Sequence, residues 1–300
     1  MIEDFTAEDA ASAKRLVSKF KNAGFQASKI ASAIEIANRM KEKNAKIYLT
    51  FTANMVASGL RGLFAEMCKK KYVDVIITTA GALEHDFIRA HAPYELGDFS
   101  MDDGALHAKG VNRIGNILVP NERYELFEEK IKPVFEKLYK EKKTVSPSEI
   151  ACEMGLAAND KGSFLYWCAK NKIPVFCPGI TDGAIGLQTY FFKQKRKDFA
   201  IDVTKDMSNL ASITLNAEKT GGIILGGGIS KHHAIGVNIL RGGFDYAVYI
   251  TTAQPWDGSL SGARTSEAIS WGKIAEKASH ITVDGEATIL FPLFFSGLKI

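Results

Sequence analysis

Cysteine and clustered histidine are scarce in this sequence, which argues against two common classes of site. Only four cysteines occur in 300 residues and none forms a CxxC pair, so no zinc ribbon or dithiol motif is indicated. We expect Cys68, Cys152, Cys168 and Cys177 to be buried free thiols. The six histidines include no HxxxH pair, and we expect no metal site.

Long apolar runs and a strong charge bias are also absent. The apolar stretch at residues 288–295 is too short to cross a bilayer and contains Pro292. The acidic start, Met1–Asp4, lacks the basic and then apolar order of a signal peptide. We therefore expect a cytoplasmic protein without a membrane partner. The net charge of +4 is small for this length, and we expect no nucleic-acid partner.

Two kinds of hydrophobic periodicity follow each other along the chain. Residues 7–43 carry apolar side chains at helical spacing, and Gly24 is expected to separate two helices. Short apolar, β-branched runs then alternate with helical stretches; the runs are residues 46–51, 73–77, 173–176, 222–225 and 246–250. This alternation is typical of a parallel sheet covered on both faces. We predict an α/β fold with a helical N-terminal extension.

The predicted boundaries give one extension and one α/β domain. We place the helical extension at residues 1–45 and the α/β domain at residues 46–300. Residues 97–111 are expected to form an irregular loop, and residues 137–143 a solvated connection that ends before Pro147.

Each predicted strand ends in small or polar residues. The ends are residues 52–54, 78–81, 181–183, 226–228 and 251–253. Small residues let a ligand approach the backbone, and ligands of open α/β sheets bind outside the carboxyl ends of the strands. Five such ends predict one large site, although any single one would also suit an ordinary tight turn.

Two local motifs carry candidate chemistry. Gly226–Gly228 precedes a predicted helix and could present backbone N–H groups to a phosphate, although Lys231 occupies the third glycine position of a GxGxxG fingerprint. His232 and His233 then follow; a histidine at this proposed ligand face suits a base, and a structural histidine is the alternative. Nearer the C-terminus, Lys273 could form an imine, beside Trp271 and Glu267, which suit an amine ligand. An exposed lysine at a helix start is the alternative.

Together these segments resemble the deoxyhypusine synthase family. The most specific segments are GGGxxKHH at 226–233, DYAVYxTTAQ at 245–254 and EAxSWGK at 267–273. The resemblance runs from about Ile47 to the C-terminus, and Glu84–Asp86 is most similar to the archaeal branch. It implies a Rossmann-like parallel sheet with helices on both faces, and a homotetramer with active sites at subunit interfaces.

The resemblance also implies a reaction. Members use NAD to oxidise spermidine, move its aminobutyl group to an enzyme lysine, and pass it to one lysine of translation factor 5A. The same NADH reduces the resulting imine. By matching position, Lys273 forms the imine, His232 is the base, Glu267 and Trp271 hold the polyamine, and Glu84 lies in the matching active-site stretch.

The cofactor site is implied in the same way. The matching positions for NAD are Asn54, Thr79, Ala80, Gly81, Asp182, Gly227, Gly228, Thr252, Ala253, Gly258, Ser261, Glu286 and Ala287. Glu286 replaces an aspartate and should still reach a ribose hydroxyl. Three acids that contact polyamine nitrogens in the eukaryotic pattern are absent, at His85, Leu187 and Leu260.

Those absences leave alternatives open. The chain could be a related NAD-dependent aminobutyl transferase with a small amine acceptor, as in homospermidine synthesis, or with an agmatine-like donor. It could also be a catalytically silent homologue that acts as an assembly subunit. The retained Lys273, His232, Glu267 and Trp271 argue against a silent homologue.

Overall fold

The computed structural model describes residues 2–300 and divides them into two compact units. The first unit holds residues up to 52 with 70–77 and 207–300, and the second holds 53–69 and 78–206. In chain order the strands are β1 (Lys46–Thr50), β2 (Val75–Ile77), β3 (Glu95–Leu96), β4 (Val111–Ile114), β5 (Ile117–Pro120), β6 (Thr144–Val145), β7 (Val175–Phe176), β8 (Ala200–Ile201), β9 (Thr220–Leu225), β10 (Phe244–Thr251) and β11 (Ile274–Asp284).

The α-helices are more numerous than the strands. They are α1 (Ala13–Lys19), α2 (Phe25–Glu42), α3 (Ala53–Met55), α4 (Arg61–Lys69), α5 (Ala80–Arg89), α6 (Asp103–Ala108), α7 (Glu122–Glu141), α8 (Pro147–Ala158), α9 (Phe164–Asn171), α10 (Ala184–Lys195), α11 (Val203–Leu215), α12 (Gly228–Val237), α13 (Thr265–Ser270) and α14 (Ala287–Ser296). Among residues 2–300, no helix is both long and apolar enough to cross a membrane.

The first unit is built on a parallel sheet with the strand order β11-β10-β9-β1-β2. Tyr48 of β1 is paired with Gly222, and its hydroxyl bonds to Thr214 of α11 at 2.8 Å. The preceding residue, Gly221, faces Met40 of α2. Because consecutive strand residues point to opposite faces, α11 and α2 cover different faces of the sheet. The predicted α/β class, with a parallel sheet between helices, is confirmed.

All five apolar runs predicted as strands are strands, but the sequence pattern missed β11. Among the described strands, this one pairs with β10 alone, at the edge of the sheet. Its residues Glu276 and Lys277 are exposed, and most of the others are half-buried. An edge strand needs no continuous apolar run, so the pattern used to find the central strands could not find it.

The N-terminal helices follow the prediction. Gly24 is the N-cap of α2 and separates it from the preceding helical segments. Six residues of α2 are buried at helical spacing, from Ile30 to Met40, which explains the apolar periodicity. The division into an extension and one catalytic domain stays a prediction.

Three local predictions were wrong. Residues 97–111 contain α6, whose N-cap Asp102 accepts hydrogen bonds from the Gly104 and Ala105 amides at 2.9 and 3.1 Å. Most of residues 137–143 belong to α7, where exposed lysines and glutamates form the solvent face of a helix. Cys152 is exposed, whereas the other three free cysteines are buried as expected.

A buried ion pair stabilises the second unit. Asp86 of α5 is fully buried, and Arg61 Nε donates to its Oδ1 at 2.7 Å. The amides of Phe164 and Leu165 donate to the same carboxylate at 3.2 Å, and the Ser163 hydroxyl also donates to it. Asp86 thus accepts from two of the N–H groups at the start of α9 that have no partner within the helix.

Replacement of Asp86 by alanine should destabilise the protein by about 3–5 kcal/mol, because it removes the buried carboxylate that compensates the Arg61 charge and accepts from two α9 amides. Asp160 offers a matched control. It accepts from the same guanidinium at 2.6 Å, but its side chain is 32% exposed. Asp160→Ala should cost at most about 1 kcal/mol. Denaturant unfolding measures both; equal losses would contradict the importance of the buried charge.

Candidate active site

Six residues predicted to bind a cofactor lie at one edge of the first unit's sheet. Leu225 of β9 pairs with Ile250 of β10, and Thr251 pairs with Asp284 of β11. The strands are parallel, so the segments that follow them meet at the same edge. Those segments contain Gly227, Gly228, Thr252, Ala253, Glu286 and Ala287.

Glu286 also has a local structural role. Its Oε2 accepts from the Ile289 amide at 3.2 Å and from the Thr288 hydroxyl, which makes it the N-cap of α14. The side chain is exposed. A capping carboxylate keeps further lone pairs for another donor, so the cap leaves the predicted ribose contact possible.

The glycine turn after β9 is packed against the loop that joins β10 to α13, residues 252–264. A Cβ at Gly227 would overlap Ser261 Cα, so a larger residue cannot fit without moving the loop. The Gly228 amide donates to Ser261 Oγ at 3.1 Å. This amide, which the sequence suggested for a phosphate, therefore already has a protein partner.

The segment that carries Lys273 is the end of a helix. Gly272 has φ +64° and its amide donates to the Ile269 carbonyl at 2.9 Å, while the Lys273 amide donates to the Ala268 carbonyl at 3.0 Å. This pair of bonds is the Schellman arrangement, which requires a left-handed residue. Glycine at this position lets the chain turn directly from α13 into β11 and places Lys273 at the junction.

Four predicted functional residues line one cavity of the first unit, about 390 Å³ in volume. They are His232, Glu267, Trp271 and Lys273. The Lys273 Nζ lies 5.1 Å from the centroid of the Trp271 ring, as their spacing suggested. Lys273 is half-buried, whereas Trp271 is 66% exposed. The predicted cofactor residue Gly258 lines the same cavity.

The sequence did not reveal the role of Lys231, which also lines this cavity. Its Nζ donates to the carbonyls of Leu260 and Ala263 at 2.8 and 2.7 Å and lies 4.4 Å from the centroid of the Tyr249 ring. Burial lowers the pKa of Lys231 to about 8. Its partners are backbone atoms 29 and 32 residues away, so no local pattern could identify them.

Tyr249 and Arg264 are further lining residues that the sequence did not single out. The Tyr249 hydroxyl is buried and makes no hydrogen bond with any of residues 2–300. Arg264 pairs with Asp284, at the end of β11. Asp284 also receives Lys29 Nζ of α2 at 3.2 Å and the Gln26 amide at 3.3 Å. One cavity residue is thus connected to α2 through a shared carboxylate.

The second unit holds the remaining predicted cofactor residues, on and beside α3 and α5. Thr79 precedes α5, and its Oγ1 is buried without a hydrogen-bond partner in the part of the chain that the structure describes. Ala80 and Gly81 begin α5, and a Cβ at Gly81 would lie 2.9 Å from Ala53 Cβ next to Asn54. Asp182 lies just before α10.

Glu84 is a buried carboxyl of α5 in the second unit. Its Oε1 accepts from the Ile185 amide at 2.9 Å, at the start of α10. A Cβ at Gly183 would overlap the same oxygen, which explains the glycine there. Burial, with a smaller contribution from nearby Asp182, raises the pKa of Glu84 to about 7. Glu84 can therefore gain or lose a proton near neutral pH.

His85, where the eukaryotic pattern has an acid, is a buried side chain of the same helix. Its Nδ1 lies 2.8 Å from the Tyr94 hydroxyl, and burial lowers the pKa of His85 to about 4. A neutral imidazole carries no negative charge, so it cannot form the ion pair that an acid forms with an ammonium group. Among residues 2–300, no three His, Cys, Asp or Glu side chains are grouped as a metal site.

The raised pKa of Glu84 should make stability pH-dependent. The folded state binds the Glu84 proton more tightly than the unfolded state, in which this carboxyl group has its ordinary pKa of 4.5. The protonated carboxyl therefore contributes its full stabilisation to the folded state below pH 4.5, and this stabilisation is lost as pH rises through about 7. Glu84→Gln keeps an acceptor for the Ile185 amide but does not titrate. Relative to wild type, the variant should gain up to about 3 kcal/mol between pH 4.5 and 8.

Denaturant unfolding across that pH range measures the effect. Glu125→Gln is the control, because Glu125 is an exposed carboxyl on α7, and it should leave the pH dependence unchanged. Parallel curves for wild type and Glu84→Gln would contradict the assignment.

Comparison with known proteins identifies the family. The family model described as "Deoxyhypusine synthase" matches residues 15–298. A probable deoxyhypusine synthase of Pyrococcus furiosus is 46% identical over 303 residues, covering 95% of this chain and 90% of that protein. One from Methanocaldococcus jannaschii is 45% identical over 305 residues, covering 95% and 92%.

A solved structure agrees with these relatives. A crystal structure described as that of a deoxyhypusine synthase from Entamoeba histolytica has a TM-score of 0.74 and 28% identity, covering 99% of this chain and 96% of that chain. The family model, the archaeal relatives and this fold coincide over nearly the whole chain. The protein belongs to the deoxyhypusine synthase family.

Proposed function

We propose that this protein is a deoxyhypusine synthase that uses NAD to transfer the aminobutyl group of spermidine to a lysine of translation factor 5A. The transfer proceeds through an imine on Lys273. The observation that carries the proposal is the position of the Lys273 amine against the Trp271 ring, in a cavity that His232 and Glu267 also line. Family membership supports the same reaction.

The cofactor proposal rests on two features of the chain. The segments after β9, β10 and β11 form a continuous edge of small residues in the first unit, where nucleotides bind in open α/β sheets. In the second unit, the orphaned Thr79 Oγ1 is a buried polar atom that a ligand could satisfy. The residues that would hold NAD are those named above. When bound, NAD supplies a hydride acceptor and, later, the hydride donor.

The polyamine would be held by charge and by an aromatic face. The Glu267 carboxylate can accept hydrogen bonds from an ammonium group, and the Trp271 ring can bind a cation on its face. Oxidation of an amine removes a proton from nitrogen as hydride leaves the adjacent carbon. His232 lines the cavity and is exposed to it, so a neutral imidazole there can take that proton.

Lys273 then acts as the nucleophile. Its amine attacks the imine carbon of the oxidised donor, and the donor's remaining amine leaves with a proton, so the aminobutylidene group becomes bound to Lys273. The acceptor lysine displaces Lys273 in the same way. Lysine must be deprotonated to attack, and its half-buried position limits the water around it.

A second candidate is a related aminobutyl transferase with another donor or with a small amine acceptor. It is favoured by the missing acids. Leu260 lines the cavity, where it offers a carbonyl to Lys231 and no carboxylate. His85 is a buried neutral imidazole. A donor with fewer ammonium groups than spermidine would need fewer acids.

We also infer a homotetramer in the cytoplasm. Leu187, Tyr190 and Phe191 of α10 are 54%, 58% and 51% exposed. They follow the i, i+3, i+4 spacing of one helix face, and an exposed apolar face of this kind supports self-association.

Replacement of His232 by alanine should slow NADH formation from the polyamine by about 10²–10⁴-fold, because a positioned base is lost. NAD affinity should remain close to wild type. Stopped-flow absorbance measures the rate and calorimetry the affinity. His107→Ala, at an exposed position on α6, should change neither. An unchanged oxidation rate in His232→Ala would remove this residue from the mechanism.

Replacement of Lys273 by arginine should abolish transfer to the acceptor, since a guanidinium stays protonated and is not an amine nucleophile. NADH formation should survive in part, because hydride leaves the donor before the imine forms on the enzyme. Borohydride with labelled spermidine, agmatine and other amines should trap a fragment on wild type at Lys273.

The matched control is Lys277→Arg. Lys277 is an exposed lysine of β11, four positions after Lys273, and the variant should transfer the group and form the trapped adduct normally. Transfer by Lys273→Arg at the normal rate, or no trapped fragment with any amine on wild type, would overturn the covalent mechanism.

A further inference from the structure

Lys231 is a buried cation whose contacts connect two segments of the candidate active site. It is 1% exposed, on α12 directly before His232. Its two carbonyl partners, Leu260 and Ala263, belong to the loop that leads into α13 and Glu267. Burial of an ammonium group is costly unless hydrogen bonds compensate it. An apolar residue would fill this space more cheaply if packing were its only purpose.

The loop is fixed to the sheet edge at several points around this lysine. Ser261 Oγ accepts from the Gly228 amide at 3.1 Å, and the Thr251 hydroxyl donates to the Ser261 carbonyl at 3.4 Å. Ser261 is also in close contact with Gly227. Among these contacts, those of Lys231 alone involve a charged side chain, and they reach backbone carbonyls on both sides of Ser261, at Leu260 and Ala263. Its loss would free both ends of the segment from Leu260 to Ala263.

We propose that Lys231 is a positioning residue: by holding the Leu260 and Ala263 carbonyls, it fixes residues 258–264 against α12 and so sets the spacing between His232 and Glu267. The activity readout of this inference rests on the proposed function. Misplacement of catalytic groups by about 1 Å can cost on the order of 10²-fold in rate, so a fixed loop matters to turnover.

The charge on Lys231 responds to several neighbours. Glu267 of α13 favours the charged form, whereas Arg264 of the loop and Lys273 before β11 disfavour it. The Tyr249 ring of β10 lies beneath the ammonium, and His232 and His233 follow on the same helix. Since the pKa of Lys231 is lowered to about 8, mildly alkaline pH weakens its charge-assisted bonds to the loop.

Two variants separate the hydrogen bonds from the titration. Lys231→Met has similar length and no donor, so the kcat of NADH formation should fall about 10–100-fold. Lys231→Arg can donate to both carbonyls and does not titrate, so it should recover at least part of that loss. In both variants, the pH profile of NADH formation should lack the change in rate near pH 8 that titration of Lys231 gives the wild type. Lys41→Met is the control, because Lys41 also donates to a carbonyl, of Lys71 at 2.9 Å, beside a tyrosine ring.

Hydrogen–deuterium exchange gives a measurement that needs no activity and no variant. In wild type, the amides of residues 258–264 should exchange faster at pH 9.5 than at pH 7, after correction for intrinsic rates. Unchanged protection there, or Lys231→Met with normal kcat and a normal pH profile, would overturn the inference. Loop loosening in a wild type that oxidises no amine would instead refute the proposed function and leave the role of Lys231 standing.

Discussion

The contact between the glycine turn after β9 and the loop after β10 is the constraint on which the first unit's cavity depends. A backbone can approach another this closely only where one side lacks a Cβ, as at Gly227. That approach brings Ser261 within hydrogen-bonding distance of the turn. The helix that carries His232 and the helix that carries Glu267 then border one space. A side chain at Gly227 would separate them, although neither catalytic candidate would be altered.

The central strands could be predicted because each is an uninterrupted apolar run buried on both faces. Strand β11 could not, because an edge strand with one partner tolerates charged residues such as Glu276 and Lys277 near its start. The proximity of Lys273 to Trp271 also followed from sequence, since two positions at the end of a helix remain neighbours in space. The contacts of Lys231 could not be predicted in this way, because they form only in the tertiary structure. Their acceptors are backbone carbonyls, which every residue has, so no side-chain pattern marks them.

The electrostatic balance of the cavity also became visible only in three dimensions. Among the described residues that line it, Glu267 is the one carboxylate, beside three cationic side chains, Lys231, Arg264 and Lys273. Arg264 is neutralised by Asp284, and Lys231 is satisfied by carbonyls. The electrostatic field in this cavity is therefore dominated by one acid and by Lys273. A polyamine, the substrate proposed above, would find a single strong anionic contact from this cavity.

The carboxylate of Asp284 has a consequence for how the chain can be shortened. It joins Arg264, at the cavity, to Lys29 and Gln26 of α2. Removal of the N-terminal helices would uncover one face of the sheet and would also take away both α2 side chains that donate to the Arg264–Asp284 pair. A fragment that begins at β1 would thus differ from the intact protein in the charge and mobility of its cavity wall. Expression of the protein should therefore keep the N-terminal helices through α2, although the sequence alone presents them as a separate helical extension.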